Sequence, residues 1–183
     1  MKVISTAIPD VLVLEPRVFG DERGFFLERY NKRQFLSDTG VDVEFVQDNH
    51  SRSGRNVLRG LHYQVSQAQG KLVWVVAGEI YDVAVDLRRR SPTFGKWAGF
   101  SLSSKTRQMA WIPPGFAHGF LVVSEDAVVL YKTTDFYAPE HERTLLWNDP
   151  ALKISWPLAG GVAPILAEKD RKGVPLERSE CFD

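Results

Sequence analysis

The feature that most constrains this chain is a period of two. Short β-type runs, some alternating apolar with polar residues and some apolar throughout, occur at 11–14, 43–46, 57–64, 71–77, 80–87, 94–102, 119–123 and 127–132, separated by clusters of Gly, Pro, Ser or Asp. Successive side chains of a strand point to opposite faces, so each run is expected to be a strand with one face in a core. Many short strands punctuated by turns predict a barrel or a sandwich. Gly78-Glu79 lies between two of the runs and fits a tight hairpin. One segment departs from the pattern: 31–40 reads as a short helix, with Asn31 capping its start and Gly40 its end. From Ala138 onward the chain is polar with several prolines, and loops and short helices are expected to wrap the β core. The 183 residues suit a single domain over 1–183, with the barrel core at about 43–135.

The 23 basic and 23 acidic residues cancel, so no global field draws the chain onto nucleic acid or an anionic membrane, and neither is expected as a partner. Any anion has to be held by local arginines and lysines. No apolar run approaches the roughly 20 residues of a membrane-spanning helix. The start of the chain has no uninterrupted apolar segment before Pro9 and Asp10, so no secretory signal is expected. The single cysteine, Cys181, has no intrachain partner, which favours a reducing compartment. A cytoplasmic location is the expectation.

Four histidines occur, His50, His62, His118 and His141. His62 sits in the apolar run Val57-Leu58-Arg59-Gly60-Leu61-His62-Tyr63-Gln64, and an imidazole on a rigid strand is a candidate for proton transfer. Standing alone, such a histidine is more often a packed, hydrogen-bonded residue. His118 follows the turn Pro113-Pro114-Gly115 and is expected at the entrance of a strand, where a satisfied rim histidine is the ordinary alternative. A metal centre usually needs three or four ligands, often with two histidines close in sequence. No His-x-His pair exists here, so no metal is expected. A Gly-x-Ser-x-Gly elbow and glycine-rich phosphate loops are also absent. Proton chemistry remains. Lys71 opens a strand and could face a developing oxyanion, although a solvated strand-end lysine is commoner. Tyr131 in Val128-Val129-Leu130-Tyr131-Lys132 could bury its ring and present its hydroxyl as an acid, or be a satisfied core tyrosine.

Taken together, the segments resemble the dTDP-4-dehydrorhamnose 3,5-epimerase family over nearly the whole chain. The resemblance rests on Asp21-Glu22-Arg23-Gly24-Phe25-Phe26-Leu27-Glu28, Gln47-Asp48-Asn49-His50-Ser51, Leu58-Arg59-Gly60-Leu61-His62-Tyr63-Gln64 and Asp82-Val83-Ala84-Val85-Asp86-Leu87-Arg88 with Ser91-Pro92-Thr93. It continues through Ile112-Pro113-Pro114-Gly115-Phe116-Ala117-His118-Gly119-Phe120, Tyr131-Lys132, Trp156-Pro157 and Glu168-Lys169-Asp170. Their order and spacing together are specific.

The resemblance implies a mainly β fold, a cupin-type jelly-roll β-barrel with short peripheral helices, acting as a homodimer without metal or organic cofactor. It implies His62 as the base that takes a proton from a sugar carbon, with Asp170 orienting the imidazole and favouring its charged form. Lys71 steadies the enolate oxygen and Tyr131 returns a proton from the other face. Arg23, Phe26, Glu28, Gln47, Asn49, Arg59, His118, Tyr137, Glu142 and Lys169 are implied to bind the dTDP-linked 4-keto-6-deoxy sugar. Arg59 pairs with diphosphate and Tyr137 stacks on thymine. Arg59 and His62 are three apart, so an ideal strand would point them to opposite faces; a bulge, a twist or a dimer interface has to re-aim one of them. Two other readings keep the fold: inversion of C3 or C5 alone, as in antibiotic sugar pathways, and a non-catalytic cupin that binds a sugar nucleotide or a metal.

Overall fold

The computed structural model describes residues 1–183. Its strands are β1 (Lys2–Ser5), β2 (Leu12–Glu15), β3 (Val18–Asp21), β4 (Gly24–Leu27), β5 (Gln47–Gly54), β6 (Leu58–Gln64), β7 (Lys71–Ala77), β8 (Glu79–Asp86), β9 (Trp97–Ser103), β10 (Met109–Ile112), β11 (Phe116–Val122), β12 (Asp126–Thr133) and β13 (Glu142–Thr144). Two short α-helices, α1 (Lys32–Thr39) and α2 (Glu168–Arg171), flank them. Two antiparallel sheets run in the orders β1-β2-β10-β7-β12-β5 and β13-β6-β11-β8-β9, while β3 and β4 pair only with each other. The fold is mainly β and cupin-like, as the resemblance implies.

Three apolar layers hold it. Between the sheets, Val73, Val75, Ala110 and Val129 of the first meet Ile80, Ala84, Leu102, Phe116 and Phe120 of the second. The outer face of the second sheet is covered by the chain after β13 through Leu145, Leu152, Ile154 and Trp156. The outer face of the first is covered by α1 and its neighbours, where Phe35 and Phe45 close on Trp111 at ring distances of 5.7 and 6.0 Å. Strands covered on both faces lose their alternation, and β11 is buried along its whole length.

The helix forms where its caps place it. Asn31 Oδ1 accepts from the Gln34 N–H at 3.2 Å, and Gly40, at φ 72°, donates its N–H to Leu36 O at 2.8 Å. The Asp82-to-Thr93 motif also has a physical reason. The buried Asp86 carboxylate accepts from Arg88, Ser91 and Thr93 and so pins the connection from β8 to β9. Burial raises its pKa, but these donors outweigh burial and hold it at about 2.

Several expectations need correction. Gly78 is not a hairpin turn, because β7 and β8 belong to different sheets. It is a corner at φ 75° where a Cβ would lie 1.9 Å from Asp126 O, so only glycine fits. Residues 43–46 form no strand; their alternation arises because Val43 and Phe45 turn into the cluster beneath α1. The run expected at 94–102 begins as a strand only at Trp97. Six strands were not foreseen: the short β1, β10 and β13, the exposed pair β3 and β4, and β5, whose residues Gln-Asp-Asn-His-Ser-Arg-Ser-Gly carry no apolar signal. β5 forms because it pairs with β12 along its full length and lines a cavity instead of a core.

Candidate active site

A cavity of about 510 Å³ opens between the sheets, walled by β5, β6, β7, β11, β12 and the segment 165–170. Its shape depends on an irregularity in β6. His118 pairs with His62 and Phe120 with Arg59, so three steps along β6 match two along β11. This bulge turns Arg59 and His62 to the same side, and both line the cavity. Glycine is required inside it: a Cβ on Gly60 would meet His118 O at 2.6 Å and Gly119 Cα at 2.7 Å.

His62 Nε2 lies 2.5 Å from Asp170 Oδ1, bringing together β6 and α2 across 108 residues. The imidazole keeps 20% of its side-chain surface open, whereas Asp170 keeps 2%. Burial lowers the His62 pKa below its ordinary value, and Asp170 offsets this only in part. Asp170 does favour the charged form, as the resemblance implies, but burial outweighs it, so near neutral pH the imidazole is mainly the free base, held in orientation by the carboxylate. Lys71 stands at the start of β7 without a carboxylate in ion-pair contact among the described residues. Burial pushes its ammonium down to about 8, with Glu142 and Asp82 pulling the other way, so it is still a cation at neutral pH. Tyr131, beside Asn49 across the β5–β12 ladder, has its phenol pKa raised by burial and keeps its proton. One cavity thus holds a neutral base, a desolvated cation and a protonated phenol. That set can take a proton from carbon next to a carbonyl, stabilise the enolate and return a proton.

Gln47, Asn49, Arg59, His118, Tyr137, Glu142 and Lys169 line the same cavity. At its edge Lys169 Nζ donates to both oxygens of Glu142 at 3.0 and 2.9 Å, and the Tyr137 hydroxyl donates to Glu142 Oε2 at 3.4 Å. Arg59 Nε donates to Ser53 Oγ at 2.9 Å, which aims the guanidinium. Arg23, Phe26 and Glu28 are not brought to the cavity of their own chain. They lie on or just after the β3–β4 hairpin, and Phe26 is 70% exposed.

Two supporting residues escaped the sequence reading. His118 is paired with the fully buried Asp82 on β8, Nε2 to Oδ1 2.8 Å; an acid in the middle of the apolar run 80–87 was the available signal. Gln64 donates to Gln67 O at 2.8 Å and Phe136 O at 3.2 Å and accepts from the Ala138 N–H at 3.0 Å. It thereby holds the loop that carries Tyr137, and nothing in its local sequence announces this. Among the described residues no group of three or more His, Cys, Asp or Glu side chains converges as metal ligands do.

The family model described as dTDP-4-dehydrorhamnose 3,5-epimerase matches residues 5–178. The dTDP-4-dehydrorhamnose 3,5-epimerase of Pseudomonas aeruginosa is 63% identical over 100% of this chain and 99% of its own length. The enzyme of the same name from Shigella flexneri is 56% identical over 100% and 99%. In three dimensions the chain is similar to the dTDP-6-deoxy-D-glucose-3,5-epimerase of Legionella pneumophila, solved in complex with dTDP-4-keto-L-rhamnose. The TM-score is 0.94 at 49% identity, over 98% of this chain and 94% of that one. With the motifs in order along its whole length and this fold beneath them, the chain belongs to the dTDP-4-dehydrorhamnose 3,5-epimerase family.

Proposed function

We propose that the protein inverts C3 and C5 of dTDP-4-dehydro-6-deoxy-D-glucose to give dTDP-4-dehydro-L-rhamnose, a step of dTDP-L-rhamnose formation in the cytoplasm. The observation that carries this reading is the His62–Asp170 pair in one cavity with Lys71 and Tyr131. The C4 ketone lies between the two centres, so one oxyanion partner serves both. Neutral His62 takes the proton from the carbon, the electron pair moves to the C4 oxygen as an enolate, and the Lys71 ammonium stabilises that charge. The enolate collapses by taking the Tyr131 phenol proton on the opposite face, which inverts the centre. Solvent then reprotonates the phenolate and the imidazolium releases its proton, so no electrons are gained or lost and no cofactor is called for.

Arg59 is read as the diphosphate partner, its planar fork suiting phosphate oxygens. Gln47, Asn49, His118, Glu142 and Lys169 are read as further substrate contacts, with Tyr137 stacking on the thymine. A second copy of the chain is read as supplying Arg23, Phe26 and Glu28. What supports this is the β3–β4 hairpin, which pairs with no other strand and leaves Phe19, Phe25 and Phe26 at 50%, 58% and 70% exposure. The test is incubation with dTDP-4-dehydro-6-deoxy-D-glucose in deuterium oxide. Deuterium at both C3 and C5 is the expected result; deuterium at one centre alone would support a mono-epimerase instead, and none at either would remove the enzyme reading.

A further inference from the structure

The inward side of β5 carries a row of polar residues, Gln47, Asn49, Ser51 and Ser53, with the outward ones between them exposed. Most of their polar atoms are already matched. Gln47 Oε1 accepts from the Tyr137 N–H at 3.0 Å, its Nε2 donates to Asn49 Oδ1 at 2.9 Å, and Ser53 Oγ accepts from Arg59 Nε at 2.9 Å. Two atoms are not. Ser51 Oγ and Asn49 Nδ2 are shut off from solvent and have no hydrogen-bond partner, although both residues line the cavity. A buried hydroxyl left unpaired is costly, and native proteins rarely keep one without a use for it.

Its neighbours say what oxygen it would meet. On one side along β5, Asn49 faces Tyr131 across the ladder; on the other, Ser53 holds Arg59. Ser51 stands between them, and its own partner on β12 is Val129, which offers no polar side-chain atom. No histidine or carboxylate is hydrogen-bonded to it, so it is not an activated nucleophile. Given the functional reading above, on which this inference rests, Tyr131 meets the sugar ring and Arg59 the diphosphate. The group between them is the phosphate that bears the sugar. We infer that Ser51 is a substrate-binding residue whose hydroxyl donates to an oxygen of that sugar-bearing phosphate, beside the Arg59 guanidinium.

The contact is tested by measuring affinity of the full-length protein for dTDP and for dTMP, which lacks the second phosphate, in Ser51→Ala and in the nearly isosteric Ser51→Cys. Thermal unfolding of both variants checks that the fold is kept. A hydrogen bond to a charged oxygen predicts about a tenfold loss for dTDP in Ser51→Ala. The KM for the sugar nucleotide should rise by a similar factor with kcat kept within about twofold, and dTMP affinity should not change. Ser51→Cys should fall between the two because a thiol is a weak donor. Unchanged dTDP affinity in Ser51→Ala overturns the inference, and so does equal loss for dTDP and dTMP, which would put the contact elsewhere on the nucleotide. If the unsubstituted protein binds dTDP yet exchanges no deuterium into the sugar, the epimerase reading fails while the Ser51 contact stands or falls on the dTDP measurement alone.

Discussion

The cavity wall and the β3–β4 hairpin both carry residues that the family pattern assigns to one substrate, yet they are built in opposite ways. In the wall, three of the polar groups are each aimed by a second one: His62 by Asp170, His118 by Asp82 and Arg59 by Ser53. In the hairpin, Arg23 meets only Asp21 of the same turn and keeps 85% of its side chain in solvent. Packing and paired charges fix the wall in advance, whereas the hairpin keeps Phe19, Phe25 and Phe26 half or more exposed, with the Arg17 and Arg107 guanidinium groups laid over the rings of Phe19 and Phe25. On the proposed reading, the chemistry resides within one chain and a second chain is left with nucleotide binding.

The largest effect is expected from His62→Ala, which should lower deuterium entry at C3 and C5 by about 10²–10⁴, the usual range for losing a positioned base. Entry at the parent rate would remove His62 from the mechanism. Replacing Lys71 with Met should cost on the order of 10²–10³ in kcat, as loss of an oxyanion partner does. In the parent enzyme kcat should fall as the pH rises through about 8, where the Lys71 ammonium is lost. An unchanged alkaline limb in Lys71→Met would assign that limb to another group.

Asp170→Asn should have a smaller effect on rate and a distinctive one on pH. Asp170 raises the His62 pKa against burial, so without its charge that pKa drops further and the acid limb of kcat/KM moves to lower pH. A limb that moves upward would contradict the balance of burial and pairing described here.

On the other side of the comparison, Arg23→Ala should raise KM roughly tenfold with little change in kcat, as loss of a ground-state contact does. Mixing Arg23→Ala chains with His62→Ala chains should restore activity at low substrate concentration. One of the two sites in a mixed dimer then combines an intact cavity with an intact hairpin. No recovery after demonstrated subunit exchange would mean that the hairpin serves its own chain or none. The smallest effect is expected away from both regions: Asn31→Ala removes the cap of α1 and should cost about 1 kcal/mol in thermal or denaturant unfolding.

How much of this could be read from the chain varies by residue for physical reasons. His62, Tyr131 and Asp170 were named from ordered motifs and Lys71 from its place at the start of the strand after His62, and the cavity brings all four together. Ser51 and Gln64 were not, because a lone serine or glutamine is ordinary in any polar segment and acquires a task only through what it faces. The strand β5 was missed because apolar alternation reports burial, and its inner face borders a cavity. For the opposite reason 43–46 looked like a strand: Val43 and Phe45 are partly buried, but beneath a helix and not in a ladder.

Local patterning settled the β class, the short helix between Asn31 and Gly40, and the family, because backbone periodicity, capping and motif spacing all act over a few residues. Pairing over long separations settled the rest. His62 meets a carboxylate 108 residues away and His118 one 36 residues away. A single extra residue in β6 against β11 then decides that Arg59 and His62 share a face. Strand alternation has a period of exact two residues, so one inserted residue reverses which side every later side chain takes, and that insertion is defined only by the neighbouring strand.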